Sequence, residues 1–185
     1  PDIVLVILES FTGHILDMPE VMPRLKALSE EGIYFPHFYA NSFRTDRGLV
    51  SILSGYPAQP TASIMKSPSK SQSLPAIARS LRKVGDDTEM IYGGDADFTN
   101  MRSYFYATGY GRVMSCDDFT TEENSARWGV PDHITFPRVE KEIVRQTARP
   151  FMKTFLTLSS HEPFDVPMSR LEHPYLNSVA YTDSC

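Results

Sequence analysis

The sequence predicts an α/β fold, a three-layer sandwich with a mostly parallel central sheet. Three apolar segments have the length and composition of buried strands: IVLVIL at Ile3–Leu8, TEMIY at Thr88–Tyr92 and MKTFLTL at Met152–Leu158. Segments with the apolar spacing of amphipathic helices lie between them. Strands that alternate with helices of about 10 to 15 residues are typical of parallel crossover units, so we expect helices on both faces of one sheet.

The first part of the chain begins with the strand Ile3–Leu8, whose unbroken aliphatic run is typical of a strand covered on both faces. A helix is predicted at Met22–Glu31, because apolar residues recur at three-residue intervals and a glycine follows as a stop signal. A short strand is predicted next, at Ile33–Tyr39. After Thr45 the apolar spacing again becomes helical.

The rest of the chain repeats this alternation. Helical spacing predicts further helices at Leu74–Val84, Asn100–Thr108 and Phe136–Ala148. The segment SIMKSPSKSQS, Ser63–Ser73, is polar and rich in serine, so we predict a surface loop there. The chain contains neither an internal repeat nor a low-complexity tract.

The composition is that of a globular protein and excludes one large class of partners. The chain has 185 residues, 41% hydrophobic and 22% charged, which is enough for one domain of ordinary size. Its net charge is -5 and it has no clustered basic face, which argues against a nucleic-acid partner. Cys116 and Cys185 are too few for a disulfide framework and lack CxxC spacing, so neither receives a role.

Both ends of the chain have the pattern of a cut rather than of a natural terminus. Pro1 stands just before a buried-strand pattern, and the last segment, SVAYTDSC, stops within a helical pattern. No apolar run approaches the roughly 20 residues that span a bilayer, and no signal peptide precedes the first strand. We therefore expect an excised piece of a larger protein.

Polar residues follow three of the predicted strands at the point where each strand ends. Glu9 follows the first strand, Asp95 follows two glycines after the second, and His161 closes the Ser-Ser-His sequence after the third. In open parallel sheets, ligands bind outside the carboxyl ends of the strands. The sequence therefore predicts a site at this edge of the sheet.

Glu9 and Thr45 are candidate metal ligands, and Thr45 is the candidate nucleophile. A carboxylate at a strand end suits a hard or borderline divalent cation, although a helix cap or a salt-bridged acid fits the same position. A threonine at a helix start is a common N-cap, but that helix end would also stabilise an anion beside the hydroxyl. A threonine hydroxyl needs a base or a metal to attack. Since no Ser-His-Asp spacing or HExxH motif is present, a metal is the economical activator.

Three arginines and one histidine are candidates for binding an anionic substrate. Arg44 and Arg47 stand on either side of the threonine and would complement a phosphate or sulfate, although arginines at a helix start more often face solvent. Arg102, seven residues after Asp95, could return to the same crevice, where its planar guanidinium suits a tetrahedral anion. A surface arginine after a turn fits that spacing equally. His161 fits a catalytic or a structural histidine.

Five segments, taken in order, resemble one protein family: IVLVILESF, NSFRTDRGLVSILSGYP, IYGGDADFTNMRSYF, WGVPDH and LSSHEPF. The chain resembles the sulfatase-like branch of the alkaline phosphatase superfamily, specifically the lipoteichoic acid synthases and phosphoglycerol transferases. The match covers nearly the whole chain, and the segments together are more specific than any single motif. The resemblance implies an alkaline phosphatase-like fold, of which residues 1–185 would be the N-terminal part of the catalytic domain with its C-terminal part missing.

The resemblance also implies roles for particular residues. Glu9 would be a metal ligand, and Thr45 would be both a ligand and the nucleophile that forms a phospho-threonine intermediate. Arg102 and His161 would bind the phosphate or head group, with Asp95 nearby. The metal would be Mn²⁺, with Zn²⁺, Mg²⁺ or Ca²⁺ as alternatives.

Three features depart from the pattern of the family. Gly93 and Asn100 stand where polymerising synthases are expected to have a histidine and a tryptophan, which argues against a polyglycerol-phosphate product. Arylsulfatases carry a C/S-x-P-x-R motif, whereas residues 45–48 read TDRG, which disfavours classical sulfate-ester hydrolysis. The Asp-His pair that completes the metal site of the family falls beyond this chain, so we expect these residues alone to bind metal weakly and turn over poorly.

The function implied by the resemblance is metal-dependent transfer or hydrolysis of a phosphoryl group from a glycerophospholipid head group, with a glycan hydroxyl or water as acceptor. Phosphoethanolamine transfer, sulfuric-ester hydrolysis and a noncatalytic anion-binding module remain alternatives. The catalytic domain would be extracytoplasmic, periplasmic or extracellular, and would be held at the cell membrane by segments outside this chain.

Overall fold

A computed structural model describes residues 1–146 and 149–185 of the chain. At its centre is a four-stranded sheet with the order β1-β4-β2-β3, in which each pair of neighbouring strands is parallel. The strands are β1 (Ile3–Ile7), β2 (Asp87–Tyr92), β3 (Arg112–Met114) and β4 (Phe151–Leu156). The predicted α/β fold with a parallel sheet is confirmed.

Helices and short 3₁₀ turns connect the strands. The helices are α1 (Pro23–Glu31), α2 (Thr45–Ser54), α3 (Pro68–Ser71), α4 (Ile77–Lys83), α5 (Met101–Ala107), α6 (Asp132–Arg145) and α7 (Pro174–Ser184). The 3₁₀ turns are Gly13–Asp17, Ile64–Lys66, Phe98–Asn100 and Cys116–Asp118.

The helices form layers on both faces of the sheet. Helices α2, α4 and α5 cover one face, where Leu53 and Phe105 share a buried cluster with Met90 of β2. Helix α6 covers the opposite face, where Val139 packs in a cluster with Phe155 of β4. Because successive strand residues point to opposite faces, β4 contributes to both clusters. Each such side chain contributes roughly 1.5 to 3 kcal/mol by leaving water, and the predicted three-layer arrangement is confirmed.

One face of β1 differs from the prediction. Leu5 and Ile7 pack against the core, but Val4 and Val6 are 46% and 42% exposed. Because β1 is the outer strand of the described sheet, no second helix layer covers these two side chains in the part of the chain that the structure describes. The expectation of a strand covered on both faces is therefore wrong here.

The predicted strand at Ile33–Tyr39 is wrong as well. The segment is irregular, and the side chains of Phe35 and Phe38 are exposed. Its aromatic and β-branched composition favours a strand, but an extended segment is stabilised only when its backbone groups pair with a neighbour. Within residues 1–146 and 149–185, no strand pairs with it.

The segment Ser63–Ser73 is more ordered than the predicted surface loop. It contains the 3₁₀ turn Ile64–Lys66 and helix α3, and the side chain of Met65 is fully buried in the cluster that also holds Leu53. These pieces are too short to produce a recognisable apolar period. The same reason accounts for β3, which has three residues and was not predicted.

Two helix boundaries shift relative to the predictions. Helix α4 begins at Ile77 rather than at Leu74, with an extended residue before it. Helix α6 begins at Asp132, four residues before the predicted start at Phe136. Its predicted end at Ala148 lies outside the described residues.

The strand register brings the carboxyl ends of three strands together. Ile7 of β1 and Tyr92 of β2 both stand opposite Leu156 of β4. Because these ends align, the residues that follow them meet at one edge of the sheet. Glu9 and His161 are among those residues.

Candidate active site

The hydroxyl of Thr45 lies against the carboxylate of Glu9. Thr45 Oγ1 donates to Glu9 at 3.1 Å from Oε1 and 3.0 Å from Oε2. The two residues are 36 positions apart in the sequence. The predicted metal ligand and the predicted nucleophile are thus in direct contact.

Glu9 is held at the end of β1 by the neighbouring central strand. Its backbone N–H donates to Oγ1 of Thr157 at 2.9 Å, and Thr157, just after β4, is completely buried. Thr157 N donates in turn to the carbonyl oxygen of Ile7 at 3.0 Å. The backbone before the carboxylate is therefore fixed relative to the sheet.

Thr45 is the first residue of α2, and its side chain does not cap that helix. The N-cap is Arg44, whose carbonyl oxygen accepts from the N–H groups of Arg47 and Gly48. The interpretation of Thr45 as a side-chain N-cap is therefore wrong, because its hydroxyl is directed at Glu9. The first N–H groups of a helix have no partners within the helix, so Thr45 stands at the positive end of the α2 dipole.

Thr45 and Glu9 open into a cavity of about 500 Å³. The walls include Arg44, His161, Trp128 and Tyr92, and Arg44 contributes a positive charge to the cavity. No described residue forms an ion pair with Arg44. A cavity with a hydroxyl, a carboxylate, an arginine and aromatic walls can accept a phosphate or sulfate ester with an organic substituent.

His161 also lines the cavity, where β4 gives way to a loop. Its Nδ1 lies 2.8 Å from the carbonyl oxygen of Glu162, and its ring lies 4.9 Å from the ring of Trp128, centroid to centroid. Of the residues predicted to bind substrate, His161 and Arg44 are found in the cavity wall together with Thr45 and Glu9.

Arg102 and Asp95 lie outside this wall. The Arg102 guanidinium donates from Nε to Asp97 at 2.9 Å and from Nη2 to Asp117 at 2.8 Å and Ser115 at 3.0 Å. The hydrogen bond to Asp97 is the main reason that the pKa of Arg102 is raised above its usual value. Asp95 is exposed and accepts from the backbone N–H of Asp97 at 2.8 Å. Their substrate-binding roles stay predictions.

Arg47 also faces away from the cavity. Its Nη1 donates to the carbonyl oxygens of Gln59, at 2.9 Å, and Pro60, and its guanidinium lies 5.7 Å from the centre of the Phe43 ring. It therefore fastens the loop after α2, while its neighbour Arg44 reaches the cavity. The role predicted for Arg47 in substrate binding remains a prediction.

Tyr92 and Trp128 are among the wall residues that were not predicted from the sequence. Tyr92 is the last residue of β2, and its pKa is raised mainly by burial and further by the negative charges of Glu9 and Asp95. Trp128 precedes Gly129 in the WGVPDH segment, and it is the single tryptophan of the chain. The sequence signal that could have identified Trp128 is a single tryptophan that stands next to a glycine in a loop.

The donor set fits part of a divalent metal site. The two carboxylate oxygens of Glu9 and the hydroxyl of Thr45 converge within hydrogen-bond distance, and oxygen donors suit Mn²⁺, Mg²⁺ or Ca²⁺. Among the described residues, no three His, Cys, Asp or Glu side chains are grouped closely enough to hold a metal ion. A complete site needs about four to seven ligands, so the rest would come from other groups.

The structure is that of an α/β protein in which a threonine and a glutamate meet at the carboxyl edge of a parallel sheet. The sequence matches the sulfatase family over residues 1–185, and the chain belongs to that family. It is 27% identical over 184 residues to lipoteichoic acid synthase 2 of Bacillus subtilis, a match that covers 94% of this chain and 28% of that protein.

Solved structures share the fold. A protein of the alkaline phosphatase superfamily from Vibrio parahaemolyticus superimposes with a TM-score of 0.89 at 27% identity, over 98% of this chain and 47% of that one. The lipoteichoic acid synthase LtaP of Listeria monocytogenes gives a TM-score of 0.85 at 20% identity, over 99% and 49%. The chain therefore spans under a third of the curated relative and about half of these structures. In the described part, none of the helices has the length and apolar character that crossing a bilayer requires.

Proposed function

We propose that the chain is part of a metal-dependent phosphoryl-group transferase or hydrolase in which Thr45 is the nucleophile. The contact between the Thr45 hydroxyl and both carboxylate oxygens of Glu9 is the observation that carries this proposal. The position of Thr45 at the start of a ten-residue helix supports it further, because the helix end favours the anion that must dock beside the hydroxyl.

Glu9 and Thr45 would hold a divalent metal, Mn²⁺ or one of Zn²⁺, Mg²⁺ and Ca²⁺. When bound, the cation would lower the pKa of the hydroxyl and neutralise charge on the phosphate. Further ligands would come from the C-terminal part of the catalytic domain, outside residues 1–185. The share of each relative that the chain spans supports this division.

The Thr45 oxygen would attack the phosphorus of a glycerophospholipid head group. A bond forms between Thr45 Oγ1 and phosphorus, and the bond from phosphorus to the glyceride oxygen breaks, while the head-group alcohol stays on the phosphorus. The proton lost by the Thr45 hydroxyl balances the one that the glyceride oxygen gains as diacylglycerol leaves. The existing hydrogen bond already directs the threonine proton at the carboxylate of Glu9. A glycan hydroxyl or water would then take the phosphoryl group, together with its head-group alcohol, from Thr45 and restore the free hydroxyl.

Arg44, His161 and the N-terminus of α2 would bind the substrate. Arg44 and the helix end supply positive charge where the transition state carries negative charge. Arg102, Asp95 and Arg47 remain predicted substrate ligands on the resemblance alone. The enzyme would work outside the cytoplasm at the cell membrane, where its lipid substrate lies.

The test uses the full-length protein that contains this chain, loaded with Mn²⁺. It is incubated with phosphatidylglycerol, phosphatidylethanolamine or an aryl sulfate, and peptides are examined by mass spectrometry for phospho-Thr45 that carries the head-group alcohol on its phosphate. We expect phosphorylation with one of the phospholipids, none in Thr45→Ala, and normal labelling in the control Thr61→Ala, which changes an exposed loop threonine. Binding of phospholipid without phospho-Thr45 or turnover would favour a noncatalytic anion-binding module instead. Release of sulfate would favour a sulfuric-ester hydrolase.

A further inference from the structure

One carbonyl oxygen joins Trp128 to His161. The carbonyl oxygen of Glu162 accepts from Trp128 Nε1 at 2.6 Å and lies 2.8 Å from His161 Nδ1. A carbonyl oxygen can only accept, so Nδ1 of His161 must carry the proton of that bond. In the neutral ring Nε2 is then left with its lone pair.

The loop that carries Trp128 is fastened on two sides. Gly129 forms a bridge with Gly94 after β2, and Val130 N donates to the carbonyl oxygen of Gly93 at 2.8 Å. On the other side, Arg127 N donates to a carboxylate oxygen of Asp165 at 3.2 Å. The indole is therefore presented from a loop tied to the ends of both β2 and β4.

The indole and the imidazole contact each other at the cavity wall. Their planes are inclined by 58°, and Trp128 is 43% exposed, so it is not a core residue that merely fills space. Among the described residues, His161 Nε2 has no hydrogen-bond partner. Trp128 thus packs against the imidazole of His161 and donates to the same carbonyl oxygen of Glu162 that faces Nδ1. Nε2 of His161 is therefore the ring nitrogen that remains available to a substrate.

We infer that Trp128 is a positioning residue, which holds His161 in the Nδ1–H form so that its Nε2 accepts a hydrogen from a substrate hydroxyl. The substrate named in this inference rests on the proposed function, whereas the geometry of Trp128 and His161 does not depend on it. A neutral imidazole that offers a lone pair repels the oxygens of a phosphate dianion and attracts an O–H group. The partner of a neutral His161 is therefore an alcohol, either the acceptor hydroxyl or a hydroxyl of the head group.

The first experiment measures the tautomer of His161 directly. Long-range ¹H–¹⁵N correlation spectra of the labelled full-length protein are recorded at alkaline pH, where imidazole is neutral, with His161→Gln for assignment. We expect a protonated Nδ1 and an unprotonated Nε2, and a weaker preference in Trp128→Ala, where the carbonyl of Glu162 loses the indole that orients it. A wild-type His161 with its proton on Nε2 overturns the inference, whatever the fate of the proposed function.

The second experiment is a double-mutant cycle in the full-length enzyme. Trp128→Ala is expected to lower kcat/KM roughly 10- to 100-fold through misplacement of the imidazole, and Trp128→Phe less, because it keeps the ring contact. In a His161→Ala background, Trp128→Ala should change kcat/KM little. Tyr106→Ala, at an exposed aromatic on α5, is the control and should leave kcat/KM unchanged. Additive losses for Trp128 and His161 would overturn the inference.

Discussion

Thr45 contacts both carboxylate oxygens of Glu9, yet the two side chains come from different elements, one at the start of α2 and one just after β1. The contact depends on two independent anchors. The backbone of Glu9 is bonded to Thr157, and α2 is packed into the core through Leu49 and Leu53. A rigid contact of this kind is what a shared cation would need, because the ligands would be in place before the ion arrives.

Replacement of Glu9 with glutamine should weaken metal binding without unfolding the chain. Glutamine keeps the size of the side chain and one acceptor for Thr45, but it removes the negative charge that holds a cation. We expect kcat/KM of the full-length enzyme to fall roughly 100-fold or more, while the free energy of unfolding changes by about 0.5 kcal/mol or less. Calorimetry with Mn²⁺ measures the affinity, and Glu122→Gln, at an exposed acid, is the control. Unchanged Mn²⁺ affinity in Glu9→Gln would refute the assigned ligand.

Substitutions of Arg44 and Arg47 should affect different properties of the protein, the first its activity and the second its stability. Arg44 lines the cavity, so Arg44→Ala is expected to lower kcat/KM roughly 10- to 100-fold with little change in stability. Arg47 bonds two loop carbonyl oxygens, so Arg47→Ala is expected to cost about 1 to 2 kcal/mol of unfolding free energy. Urea unfolding and steady-state kinetics on both variants check this pair. The opposite pattern, with activity lost in Arg47→Ala and stability lost in Arg44→Ala, would contradict the described side-chain placement.

The sequence alone predicts those parts of the fold and of the candidate site that depend on a short, local pattern of residues. The apolar runs of β1, β2 and β4 predict a parallel sheet, and the polar residue after a strand end predicts where Glu9 and His161 lie. Side-chain direction could not be predicted in the same way. Arg102 lies on the predicted helix, but its guanidinium is turned by Asp97 and Asp117, and the position of Asp117 depends on the fold.

Residue composition alone also fails to predict a strand, because a strand forms only where its backbone pairs with a neighbouring strand. Ile33–Tyr39 has the residues of a strand, but strand formation requires a neighbour with free backbone groups. Conversely, β3 has three residues and no pattern of its own, and it becomes a strand because β2 offers an edge. Trp128 was passed over for a similar reason, since its contact with His161 joins loops that lie far apart in the sequence.

Substitution of Asp132, which does not line the candidate active site, tests the stability of the fold. Its buried carboxylate accepts from Leu158 N at 2.9 Å, Ser159 N at 3.2 Å and Thr182 Oγ1 at 2.7 Å, which ties α6 to the loop after β4 and to α7. In Asp132→Asn an amide NH₂ replaces one acceptor and faces two donors. We expect a loss of about 1 to 3 kcal/mol in the free energy of unfolding, measured with urea.

The loss of unfolding free energy in Asp132→Asn should depend on pH in one direction. Burial is the largest cause of the raised pKa of Asp132, so the folded state holds the proton more tightly than the unfolded chain does. The resulting contribution to stability is full below the ordinary carboxyl pKa and is lost as pH rises through the raised value. Because asparagine does not titrate, the stability gap between wild type and Asp132→Asn should narrow as pH rises above the ordinary carboxyl pKa of about 4. A gap that widens with pH would show that the three hydrogen bonds outweigh burial.

Gly129 should be irreplaceable in the loop that presents Trp128. Its φ is +144°, and a Cβ there would lie 2.2 Å from the carbonyl oxygen of Gly93, which is backbone and cannot move aside cheaply. We expect Gly129→Ala to cost about 2 to 3 kcal/mol of unfolding free energy, because strain and overlap act together. Gly13→Ala is the matched control, since a Cβ at Gly13 meets no atom within 4 Å, and its effect should stay within about 0.5 kcal/mol. Equal urea midpoints for the two variants would mean that the loop does not approach the end of β2 as described, and Trp128 would then lose the anchor that aligns it with His161.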